Sequence, residues 1–146
     1  MKAIFLLLII AVAVLAVPPQ QALSPVGRWE VKFTLLDSAE KHLVFTAQEN
    51  GAGSFHLLDT APDNKPVKDP KAAAWSLTNG HLSITGEVEL PIGSCCRETG
   101  TLIFKSKFKS SDSLQGKLIF VTNTDEEESA YKYHSTVGTF TATRVK

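Results

Sequence analysis

Apolar and polar residues alternate with a period of two through most of the chain beyond residue 25, as they do in strands with one buried face. Trp29, Val31, Phe33 and Leu35 share one face of the first run, opposite Arg28, Glu30, Lys32 and Thr34. Leu43, Phe45 and Ala47 repeat the pattern, as do Phe55 and Leu57 beyond a glycine-bearing turn at 50–53. Ala73, Trp75 and Leu77 form a fourth run, and Asn79-Gly80 follows as a strong hairpin signal, because both residues tolerate positive φ. A fifth run carries Leu82, Ile84, Gly86, Val88 and Leu90. The sixth carries Leu102, Phe104 and Phe108 inward, with Lys105, Lys107 and Lys109 facing water. Leu114, Leu118 and Phe120 make the seventh, and 134–145 the last. No amphipathic helix pattern intervenes. Eight short strands in series, several joined by tight turns, predict an all-β fold, an eight-stranded antiparallel up-and-down barrel.

A tight turn centred on Ser111 sets the register of the sixth and seventh runs. It places Ile103 opposite Ile119, Thr101 opposite Val121, and Lys105 opposite Lys117. Ile103, Ile119 and Val121 then form an outward apolar strip, a candidate homodimer contact. The only long irregular segment, 60–71, holds three prolines and mixed charge, and is expected beside the barrel mouth.

The first 17 residues are apolar except Lys2. A spanning helix needs about 20 apolar residues, so this segment is short for a stable membrane span. It predicts a cleaved secretory signal over 1–16, a proline-rich linker over 17–25 and a barrel domain over 26–146, secreted or periplasmic. An uncleaved anchor is the alternative. Without those 17 residues the apolar share falls from 43% to about 36%, beside 25 Ser and Thr, a composition suited to half-buried strands. Lys and Arg number 15 against 15 Asp and Glu. That balance lacks the basic surplus expected of a nucleic-acid partner.

Gly27-Arg28-Trp29 opens the first strand, and Arg144 lies near the end of the last with the parity of Phe140 and Ala142. In these positions the chain resembles the calycins: lipocalins, fatty-acid-binding proteins and avidins. The resemblance covers the strand count and these few residues, and implies a lipocalin-like barrel in which Arg144 packs across Trp29 as a structural latch. The chain departs from the pattern in having no C-terminal helix, no helical lid and less length than most lipocalins.

Cys95 and Cys96 are adjacent, and their Cα atoms stand only about 3.8 Å apart, short of the usual disulfide span. A strained vicinal disulfide, a bridge to a second copy and free thiols all stay open, with a structural or intermolecular role preferred to redox catalysis. His42, His56, His81 and His134 fall on four strands without zinc-motif spacing, so no metal is expected. Asp59, Asp63 and Asp69 lack the calcium-loop pattern. No Gly-x-Ser-x-Gly occurs, and neither an enzyme nor a cofactor is expected.

Two functions follow from a non-enzymatic barrel. One is a carrier for a small apolar ligand, lined by Phe55, Trp75, Phe104 and Phe120, with space left where Ala47, Gly86 and Gly116 interrupt the rings. The alternative is a closed core working through its surface, as an inhibitor or envelope interaction module.

Overall fold

The computed structural model describes residues 23–35, 39–58, 69–92, 96–123 and 133–146; for 91, 92, 96, 97, 123, 133 and 134 only the backbone is described. The expected signal segment 1–16, most of the linker and most of the 60–71 segment lie outside the described residues, as does Cys95.

The strands are β1 (Gly27–Leu35), β2 (Lys41–Ala47), β3 (Ala52–Leu58), β4 (Lys71–Thr78), β5 (His81–Ile92), β6 (Cys96–Ser110), β7 (Ser113–Asn123) and β8 (Tyr133–Arg144). Each pairs antiparallel with its neighbour in sequence, and β1 pairs with β8, closing an up-and-down barrel. Closure leaves no edge strand, although β4 meets β3 only over Ala52–Phe55 and β5 only over His81–Gly86. The period-two pattern is therefore read directly as inside and outside: β1 runs exposed–buried without interruption from Arg28 to Leu35.

The two ends of the barrel differ. At one, β2 joins β3 through a 3-10 turn at Glu49–Gly51, β4 joins β5 through Asn79 and Gly80, both at positive φ (52° and 75°), and β6 joins β7 through Ser111 and Asp112. The chain also enters β1 and leaves β8 there. At the other end β1, β3, β5 and β7 finish and β2, β4, β6 and β8 begin.

The expected register of β6 on β7 is the observed one: Ile103 faces Ile119, Thr101 faces Val121 and Lys105 faces Lys117. The turn itself differs from the expectation. It has two residues, Ser111 and Asp112, rather than the three of Ser110–Asp112, since Ser110 pairs with Ser113, and an irregularity between Phe108 and Ser110 restores the register. A bulge does this by placing an extra residue, Lys109, on one strand only.

The interior is a cluster of aromatic and branched side chains. Phe104 is its hub, edge-to-face with Phe33 at 6.1 Å, Phe55 at 5.7 Å and Phe140 at 4.9 Å between ring centroids. Phe45 extends the stack from Phe55 at 5.7 Å. This offset geometry suits ring quadrupoles, adding about 0.5–1.5 kcal/mol per pair beyond area burial.

Candidate functional site

The latch begins with Gly27. Its φ of +126° is a conformation that residues with side chains rarely adopt, and a Cβ there would lie 2.7 Å from Nη1 of Arg144. The glycine therefore makes room for the guanidinium, which lies 4.3 Å from the Trp29 ring centroid. Arg144 also ties three segments together. Its Nη2 donates to the Ser24 carbonyl at 2.6 Å and its Nε to the Ser111 carbonyl at 3.1 Å, while Nη1 donates to the Val26 carbonyl. Nε lies 3.3 Å from the Asp112 carboxylate. Beneath it, the Trp29 indole donates to the Pro25 carbonyl at 2.7 Å, and its ring meets Phe108 edge-on. These contacts close the turn end of the barrel.

The four residues expected to line an interior pocket do not all meet. Phe55 and Phe104 are in ring contact, and both are buried. Phe120 is also buried, its ring against Gly100. Trp75 is half-buried and donates its indole N–H to the Gln48 carbonyl at 2.9 Å, at the turn end. No ring contact joins Trp75 to the other three among the described residues. At two of the three small residues, Gly86 and Gly116, a neighbouring ring takes up the space. A Cβ on Gly86 would lie 2.7 Å from the Phe55 ring, and one on Gly116 3.0 Å from the Phe140 ring. Neighbouring phenyl groups thus lie over both glycines.

One interior polar atom stands out. Ser106, on the inward parity of β6, is buried, and its Oγ has no hydrogen-bond partner. An unsatisfied buried hydroxyl costs about 1–3 kcal/mol. Of the candidate disulfide, only the backbone of Cys96 at the start of β6 is described.

Outside, two aligned rows cross the strands. Thr85, Ile103, Ile119 and Val137 are cross-strand partners on β5 to β8. Val137 is 49% exposed, and Ile103, Ile119 and the nearby Val121 are half-buried. The adjacent row is Ser83, Lys105, Lys117 and Thr139. Lysines 105, 107, 109 and 117, with His81, Ser76, Thr78, Ser83 and Gln115, line a groove of about 600 Å³. A second recess of about 400 Å³ shares Gln115 and Gly116 with it and continues over Lys32, Thr34, Thr139 and Thr141 to Glu40. At that far end Glu40 is engaged by His42 at 2.8 Å, and this hydrogen bond, ahead of the nearby Lys32 charge, holds its carboxyl below the ordinary value.

The alternation had already set three of these lysines on one water-facing side; what it missed was their confluence with Lys117 and the threonine-rich recess beyond. That depends on pairing across six strands, β4 to β8 and β1, which no local pattern carries.

No protein-family model matches the sequence, and no curated protein matches it. Among solved structures it is similar to that of EF1p2_mFAP2b bound to DFHBI, with a TM-score of 0.51 and 14% identity, covering 82% of this chain and 93% of that one. The likeness establishes the barrel fold.

Proposed function

We propose that this chain is an exported, non-enzymatic barrel of the calycin type that binds through its outer wall, as an inhibitor or envelope interaction module. The apolar start supports export to a secreted or periplasmic site, and the Trp29–Arg144 latch supports the calycin kinship. The observation that carries the surface reading is the packing of the interior. Phe33, Phe45, Phe55, Phe104 and Phe140 occupy it and reach into the glycine gaps, while the row Ile103, Ile119 and Val137 leaves apolar surface on the wall.

The second reading, a small apolar ligand held inside, is favoured by the orphaned Ser106 hydroxyl. A ligand carrying one polar atom would satisfy it, and a barrel of similar fold is known bound to DFHBI. Titration with Nile red, a neutral apolar dye, separates the two. On the surface reading, Ile119→Ser/Val137→Ser abolishes dye binding and Phe104→Leu leaves it unchanged. Dye binding that depends on Phe104 and ignores the outer pair would reverse the choice.

A further inference from the structure

We infer that the lysine groove and the recess continuing from it form one track for an extended sulfated polysaccharide; this rests on the reading of the barrel as a module that works through its outer wall. The charge of the groove is one-sided, and the recess adds Lys32 before it ends at the His42-bonded Glu40. Lys105, Lys107, Lys109 and Lys117 line the groove with no carboxylate among its lining residues. All four are exposed, and none makes an ion pair or hydrogen bond among the described residues. Lys105 and Lys117 are direct cross-strand partners, an arrangement of like charges that is destabilising unless an anion sits between them. Along β6 the Cα atoms of the outward lysines repeat at about 6.8 Å, twice the strand rise, and the bulge at Lys109 turns the last of them locally.

The remaining lining selects the kind of anion. Between and beyond the lysines stand Ser76, Thr78, Ser83 and Gln115, then Thr139 and Thr141 in the second recess. Hydroxyl and amide groups of this kind exchange hydrogen bonds with sugar hydroxyls. A single-stranded nucleic acid would ask for a series of exposed rings on which bases stack, and the track's phenyl rings, Phe33, Phe108 and Phe140, are buried or half-buried, leaving His81 as its one exposed ring. A membrane surface would ask for apolar side chains projecting at the lysines, and the groove's apolar residues, Leu82 and Phe108, are buried and half-buried rather than projecting. The track crosses strands β4 to β8 and reaches β1, so its occupant is long rather than a single ion.

The test is binding of heparin and of dextran sulfate to the full domain, with neutral dextran, an oligo-dT strand and phosphatidylglycerol vesicles in parallel. Expected are sulfate-dependent binding that weakens steeply with salt, and at least a tenfold loss in Lys105→Gln/Lys107→Gln/Lys117→Gln. Arg28→Gln/Lys71→Gln/Lys146→Gln, which removes equal charge off the track, should bind as the parent does. An equal loss in both triple variants overturns the proposal, as does competition by neutral dextran. Equal or tighter binding of oligo-dT or vesicles overturns the polysaccharide assignment. Nile red binding is read on the same samples. Failure of the parent domain to bind heparin, with dye binding that depends on Ile119 and Val137, rejects the track alone and leaves the surface reading standing.

Discussion

Replacing Arg144 by Ala removes the one side chain that ties the entry segment, the β6–β7 turn and Trp29 together. The cation–π contact at 4.3 Å contributes about 0.5–1 kcal/mol at a partly exposed site. Hydrogen bonds from a charged donor are worth about 1.5–3 kcal/mol each when protected. Here the side chain keeps 23% of its surface, so water replaces part of what is lost at the carbonyls of Ser24, Val26 and Ser111. The ion pair to the half-exposed Asp112 adds little. The expected cost is therefore about 2–4 kcal/mol, or roughly 8–15 °C in Tm for a domain of this size. Arg144→Lys keeps the charge but offers no planar fork to three carbonyls, so it should fall between parent and Ala. Urea unfolding followed by circular dichroism and by Trp29 emission measures both variants. A cycle with Trp29→Phe should isolate a coupling of about 0.5–1 kcal/mol. A loss below about 0.5 kcal/mol for Ala, or a Lys variant equal to the parent, would refute the latch.

Other outcomes follow from the packing and the charges. Gly86→Ala pushes a methyl group to 2.7 Å from the Phe55 ring and 3.0 Å from the Ala72 carbonyl; the expected cost is about 1–3 kcal/mol, read by urea unfolding, and a neutral result would mean that the interior has room to give. Glu40 is held below its ordinary value of 4.5 chiefly by the hydrogen bond from His42. Its contribution to stability is thus present above about pH 4.5 and lost as pH falls through the lowered folded value; carboxyl NMR titration of His42→Ala should show the Glu40 midpoint moving up, and an unmoved midpoint would discard that cause. The apolar row across Ile103, Ile119 and Val137 is expected to support a homodimer that Ile119→Asp dissolves, and sedimentation showing the parent as a monomer at high micromolar concentration would discard that contact.

The sequence carried the architecture well because a period of two has only one reading once a sheet closes: alternate residues face in. Residues 29, 31, 33 and 35, and 102 and 104, are buried on that count alone. Register was legible for β6 and β7 because the turn is short and the extra residue of the bulge, Lys109, makes up for the one the turn lacks. What was not legible is how volume is shared inside. Gly86 and Gly116 read as vacancies in a linear pattern, yet a glycine on a barrel wall invites the ring of a neighbouring strand to lie over it. Trp75 shares the inward parity of Ile84, its partner on β5, but its indole N–H needs an acceptor and finds one at Gln48 in the turn, away from Phe104. The lysine track escaped local reading for the complementary reason: its members come from strands that meet only after closure.

The central claim is that the barrel interior is filled by its own side chains and that binding takes place outside. Native mass spectrometry of the protein purified from its natural source tests this most directly. Under conditions gentle enough to keep interior ligands, the domain should appear at the mass of its polypeptide alone, as single or paired copies. A stoichiometric small molecule that stays bound until the barrel unfolds would contradict the claim and restore the interior as the site.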